Sequence, residues 1–394
     1  MLILHGKHAL AGLSAVVAVA LVTVGCTSPA RPEAGASTGQ PAPPKGAAAT
    51  RSASPGTAAT SAGSRSAGTP FATLNHPADD GGEPGAGVTG IAFSATGTAL
   101  AGSDWAGVAY QWNLATGRIT ATMAGPGSKE STDADSGNAM ALSPSGTTLA
   151  FGGGDAAGPA TWLFDVATSR LVATLPSRTG NVASVAFSPN GATLAVATEN
   201  GTISLWNAAG QRLIGTLSDP AGNVNAISFS PSGATLAVAD LNGARLFDVA
   251  TGRVTATLTD PAGPAQQASS GPFVAGTNGL AFSPSGATLA LADGDGDVNV
   301  WAVASARLLK TLTAPGQGGT STAKAVAFSP SGTTLAADGG PGVYLWDVSD
   351  SRLAGTLDDP APDAPLVTAL AFSLNGKTLA AADSDGSIYL WHTA

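Results

Sequence analysis

The chain is poor in cysteine, histidine, aromatic residues and charge. Among 394 residues it has one cysteine and four histidines, with 5% aromatic and 11% charged residues. A single cysteine, Cys26, excludes an intramolecular disulfide. Only His76 and His392 lie beyond the first eight residues. No Cys/His cluster therefore suggests a transition metal. Serines abound, but none stands with a histidine in a nucleophile elbow. No catalytic set, metal site or cofactor is expected. Basic residues are also few. Lys7, Arg31, Lys45, Arg51 and Arg65 precede Phe71 with Glu33 as the only acid. Of the 17 basic and 26 acidic residues, 12 and 25 thus remain from Phe71 onward. That balance argues against binding nucleic acid, which needs Lys and Arg along the phosphates. "DGDGD" at 293–297 begins like a calcium loop, but the twelfth position is Ala304, which has no carboxylate. A hairpin turn is the better reading. What is plentiful is glycine, 52 residues, within a chain that is 43% hydrophobic. Many tight turns around a large core follow.

The first residues, "MLILHGKH", carry Lys7. A 16-residue apolar run, "ALAGLSAVVAVALVTV", leads to Gly25-Cys26. The run is short for a membrane span and stands where a signal peptide stands. It resembles a bacterial lipoprotein signal, with Thr23 where that signal usually has Leu. The resemblance implies a mature N-terminus at Cys26, lipidated and anchored outside the cytoplasm. Residues 27–70 contain no aromatic residue and no Leu, Ile or Val. Such a segment cannot offset its ordering entropy by burial, so 26–70 is expected to be a disordered tether. As a coil it spans roughly 35–40 Å, and as polyproline about 135 Å.

The remainder, 71–394, repeats. "IAFSATGTALA" from Ile91 returns as "MALSPSGTTLA" from Met140 and "VAFSPNGATLA" from Val185. "ISFSPSGATLA" from Ile227 and "LAFSPSGATLA" from Leu280 follow. "VAFSPSGTTLA" from Val326 and "LAFSLNGKTLA" from Leu370 complete seven copies. Each continues through a Gly- or Asp-rich turn into a strand ending in Trp112, Phe164, Trp206, Phe247, Trp301, Trp346 or Trp391. "VAF" and "TLAVA" are short, apolar and bounded by turn residues, so they read as strands. Ser-Pro-Ser-Gly links strand a to strand b. "ENG", "LNG" and "SDG" link b to c. "DVATGR" links c to a short strand d, "xxTL".

"LWD" at 345–347, "LWN", "LFD" and the "AFSPSG" stretches resemble the WD-repeat family. The resemblance covers about 320 residues. It implies an all-β, seven-bladed propeller of four-stranded antiparallel blades. Its usual Gly-His pair before strand a is missing from six copies. The buried His–Asp network that pair supports is therefore expected to be absent. The last copy, ending "IYLWHTA", lacks strand d. "FATL" at 71–74 is a strand d with nothing before it, and its continuation "TLNHPA" matches "TLSDPA" from Thr216. Residues 71–74 are thus predicted to close the ring by completing the last blade.

In such blades the d–a and b–c turns share one face of the disc, and the a–b and c–d turns the other. The first face collects acids, among them Asp104, Glu199, Asp219, Asp260, Asp293, Asp358, Asp359, Asp383 and Asp385. The second carries Arg118, Arg170, Arg212, Arg253, Arg307, Arg352 and Lys377. Trp105, in a b–c turn, is a candidate partner contact. Tyr110, Tyr344, Tyr389 and Trp162 share one repeat position and are further candidates, with packing between blades as the favoured reading of that position. Ser204, Arg245 and Asn299 occupy it elsewhere, so incomplete burial is expected there. The residues four before each first-strand aromatic would line the channel mouth. They are Thr89, Asn138, Ala183, Asn225, Asn278, Lys324 and Thr368. Two functions follow from this reading. One is a non-catalytic, lipid-anchored scaffold outside the cytoplasm, binding an unknown protein or peptide at the acidic face, with membrane contact only through Cys26. The other is a lactonase- or quinone-dehydrogenase-like enzyme with its site at the central channel.

Overall fold

The computed structural model describes residues 68–76, 87–104, 107–126, 139–155, 158–177, 179–261, 277–294, 296–315, 323–339, 342–360 and 366–393. Cys26, Trp105 and Asn138 lie outside them. The described residues form strands and turns and no helix.

Blade 4 shows how one copy folds. Strand a is Ala226–Phe229 and strand b Thr235–Asp240. Strand c is Gly243–Asp248 and strand d Val254–Thr259. Every neighbouring pair is antiparallel. In the a–b turn, Gly233 has a φ of 73°, a left-handed conformation open to glycine at no steric cost. These turns also interlock. A Cβ on Gly286 of the next blade would stand 3.3 Å from Pro231 Cδ, so each proline nests on the following glycine.

Seven such sheets form. The apolar core is divided among their interfaces. "TLAVAD" alternates by face, as a strand must. Leu236 and Val238 point toward blade 3 and pack with Ala195 and Ala197. Ala237 and Ala239 point toward blade 5 and receive Leu280, Leu289 and Trp301. A blade therefore presents large side chains backward and alanines forward. The ring repeats one large-into-small joint, which is why a core so poor in aromatics packs without gaps.

The last joint closes the ring. Ala369, Ala371, Ala380 and Ala382 of blade 7 pack against Ile91, Leu100 and Trp112 of blade 1. Blade 7 takes its strands a to c from Val367–Phe372, Thr378–Asp383 and Ser387–His392. Its strand d is Ala72–Asn75. The orphan "FATL" is therefore the outer strand, shifted by one residue from its expected bounds. Leu74 is buried there, but Phe71 is 47% exposed and stacks on His392 with ring centroids 4.0 Å apart. A contact ahead of the strand also holds the chain. Trp391 Nε1 donates to Gly68 O at 2.8 Å.

Candidate functional site

The polar residues expected at the channel mouth do not face open space. Thr89, Asn225, Asn278, Lys324 and Thr368 are all buried. Three of these side chains tie one blade to the next. Asn225 Nδ2 donates to Thr277 O at 3.0 Å, and Asn278 Nδ2 to Ala323 O at 3.4 Å. Thr368 Oγ1 donates to Val88 O across the closing joint, at 2.5 Å. Ala183 cannot do this, and Ser184 beside it accepts from Ile227 N instead. Thr89 Oγ1 bonds within its own blade, to Ser103 O. Asp338 accepts from the backbone N–H groups of Lys324 and Ala325 at 2.7 and 2.8 Å. Burial lowers the pKa of the Lys324 ammonium, and the Asp338 charge opposes this.

The tyrosine position is nearly buried, more than its polar occupants in other copies suggest, and its rings pack between blades. Tyr110, Tyr344 and Tyr389 are each 7% exposed, and Trp162 is 1% exposed. They are therefore poorly placed to meet a partner. The position accepts polarity for a different reason. It lies in the middle of strand c, beside the residue that ends strand b and the residue that opens the d–a turn. These three vary together. In blade 4 they are Asp219, Asp240 and Arg245. Arg245 Nη1 donates to Asp219 Oδ1 at 2.6 Å and also to Asp240 Oδ2. In blade 5 Asn299 Nδ2 donates to Asp293 Oδ2 at 2.9 Å, with Asp260 in the turn. In blade 1 His76 Nε2 lies 2.8 Å from Asp104 Oδ2, and the His76 ring packs edge-on against Tyr110.

Two blades replace the polar set with an aromatic plug. A Cβ on Gly125 or Gly153 would stand 2.1 Å from the Trp162 ring, and one on Gly339 2.5 Å from the Tyr344 ring. Glycines there make room for a large ring. The expected absence of a His–Asp network is likewise corrected. Blade 1 contains one, and blades 4 and 5 build equivalents from other donors.

Several acids of the acidic face are withdrawn from solvent. Asp104, Asp219, Asp260, Asp293 and Asp383 are all buried. Among the described residues, Asp358 and Asp385 remain exposed, with Glu199, Asp297 and Asp359 partly so. Asp359 and Asp385 stand close enough to act on Asp383. Burial, then the Asp359 carboxyl, pushes Asp383 up to about 9. Burial pushes Asp338 up to about 7.

Both shifts make stability fall with rising pH. Between the ordinary aspartate value and these raised values, the folded chain binds more protons than the unfolded chain. The stabilisation is complete in acid and is lost as pH rises through about 7 and then about 9. For Asp338 alone linkage sets an upper bound of about 4 kcal/mol. Thermal melts are expected to show a lower midpoint at about pH 9 than at about pH 5. Asp383→Asn should flatten that slope and raise the alkaline midpoint. A slope unchanged in the variant would remove Asp383 as its source.

The opposite face differs in kind. Arg118, Arg170, Arg212, Arg253 and Arg307 end the c–d turns and are exposed. Asp165, Asp248 and Asp347 open three of these turns. Each accepts from a hydroxyl and a backbone N–H two or three residues on, and these bonds hold its pKa below the usual carboxylate value.

The family model of the WD domain, G-beta repeat matches residues 169–207, 211–248 and 352–392. No curated protein matches the chain. Each matched stretch begins at a strand d and ends at strand c of the next blade. The sequence repeat is therefore offset by one strand from the structural blade, the offset that lets Ala72–Asn75 close the ring. WD40 repeats in three places, within seven four-stranded antiparallel blades, suggest a protein-interaction scaffold of a typically non-catalytic kind.

Proposed function

We propose that this chain is a non-catalytic binding platform, anchored outside the cytoplasm by lipid on Cys26. Its d–a/b–c face would take a protein or peptide bearing basic residues. The observation that carries this reading is the channel mouth. A central-channel enzyme needs polar groups free for substrate. Here Asn225, Asn278 and Thr368 spend theirs on the next blade's backbone. The exposed carboxylates Asp358 and Asp385 supply charge complementary to a basic partner. Segments of Gly, Pro, Ala and Ser such as 27–70 serve as spacers.

Two measurements test this reading. Cys26→Ala is expected to move the protein from the membrane fraction to the soluble one. Full retention on membranes would sink the anchor. Proteins crosslinked to the parent chain should be lost with Asp358→Asn/Asp385→Asn and weakened by salt, since exposed charges are screened beyond about 8 Å. An identical set recovered with the variant would sink the acidic face.

A further inference from the structure

The c–d turns place an arginine and an aliphatic side chain together at the start of successive outer strands. Blades 2 and 3 carry this furthest, with Arg170-Leu171-Val172 and Arg212-Leu213-Ile214. Leu171 and Val172 are 40% and 49% exposed, and Leu213 and Ile214 46% and 47%. The turn before the second strand reaches the first, since Gln211 Nε2 donates to Val172 O. Contiguous exposed aliphatics on a soluble surface mark a contact site. An added fifth strand is not the occupant. Val172 and Ile214 fall where the pairing register shifts, and such bulges disrupt a strand edge.

Two observations identify the occupant. The first is charge. Six arginines end the c–d turns, and the a–b turns contribute Lys377 and no acid. Only Asp165, Asp248, Asp347 and Asp350 oppose them, so this face is net basic on a chain that is acidic as a whole. The second is where the chain enters. Gly68 is held by Trp391, and Thr393 N donates to Lys377 O at 2.9 Å. The residues ahead of Gly68, which include Cys26 and the apolar run, therefore join the ring on this face and not on the acidic one.

We propose that the arginine-bearing face, with the aliphatic rim of blades 2 and 3, rests on an anionic lipid surface. Arginines would meet lipid phosphates, and Leu171, Val172, Leu213 and Ile214 would enter the headgroup boundary. The acidic face would then point away from the membrane. This contact is additional to any lipid on Cys26 and does not depend on it.

The chain from Arg65 to Ala394 holds every strand of the closed ring and lacks Cys26, so it isolates the face. It is sedimented with vesicles of phosphatidylcholine, and of phosphatidylcholine with phosphatidylglycerol. It should pellet only with the second, and less as salt rises. Near such a surface each arginine is worth roughly fivefold in partition. Arg170→Glu/Arg212→Glu should therefore lose more than an order of magnitude, and Leu213→Ser/Ile214→Ser a smaller factor, with melting midpoints kept. Arg118→Gln replaces the double reversal if that variant unfolds. Equal pelleting with both vesicles, no pelleting with either, or variants that pellet like the parent would overturn the proposal. A dimer in size exclusion that Leu213→Ser dissociates would also overturn it, assigning the rim to a second copy. Failure here leaves the Cys26 anchor untouched, because the tested chain does not contain it.

Discussion

Arg245→Ala is expected to destabilise the ring by about 3–5 kcal/mol, the cost of breaking a buried ion pair from one side. The arginine side chain is 16% exposed, while those of Asp219 and Asp240 are 0% and 1% exposed. One guanidinium nitrogen thus serves two carboxylates that water scarcely reaches. Burial already holds Asp219 up at about 6 against that arginine. Without the guanidinium, only backbone N–H groups such as those of Ala221 and Asn242 oppose the repulsion between the two acids, and Asp219 should titrate higher still. The folded state then binds a proton that the unfolded state releases. The loss should therefore be larger at about pH 8 than at about pH 5.

That pH dependence separates the charge from the packing of the arginine stem. Asp219→Asn in the Arg245→Ala background should recover part of the loss, since it removes one of the stranded charges. Urea unfolding at the two pH values reads both effects. A single variant within about 0.5 kcal/mol of the parent, the range of ordinary surface changes, would mean the triad holds nothing.

The same triad shows what sequence reading reaches and where it stops. Strands a and b were legible because "AFSPSGATLA" carries its own period and its own turn, and neither needs distant partners. The closing strand was legible by counting, since one copy lacked a "TL" segment and one "TL" segment lacked a copy. Arg245 and the tyrosines were seen to share a position. How deeply each is buried depends on two other positions, for Arg245 5 and 26 residues away. Gly125 and Gly153 carry no distinct signal in the sequence until Trp162 is placed between them. His76 is a single histidine in the sequence, and only the fold sets it against Asp104. The mouth residues were read correctly as polar. Whether a polar group faces solvent or a neighbouring carbonyl is a property of the joint between blades, which no one repeat encodes.

Removing the closing strand should have the larger effect of the two. A chain beginning at Asn75 loses Leu74, which is 2% exposed and sits between blades 7 and 1 with Ile91, Ile388 and Leu390. Its burial is worth about 1.5–3 kcal/mol, and the gap it leaves adds a cavity cost. The ladder from Ala72 to Leu74 goes too, with the bond from Phe71 N to Leu390 O. Each such bond contributes about 0.5–1.5 kcal/mol net. Phe71 itself counts for less than an interior phenylalanine, because its ring is half-exposed where it stacks on His392. The total lies near about 5 kcal/mol, comparable to the whole stability of many domains, about 5–15 kcal/mol. The loss also uncovers Ser387–His392 as an open edge, which pairs with whatever strand it meets. A chain beginning at Thr69 keeps the strand and loses only Gly68 O. Trp391 Nε1 then loses its acceptor, at a cost of about 1 kcal/mol. Melting midpoints should thus fall in the order Gly68, Thr69, Asn75, with a small first step and a large second one. The shortest chain should also elute as a mixture of sizes. If the chains beginning at Gly68 and Asn75 melt together and both elute as monomers, the ring does not depend on this strand for its closure.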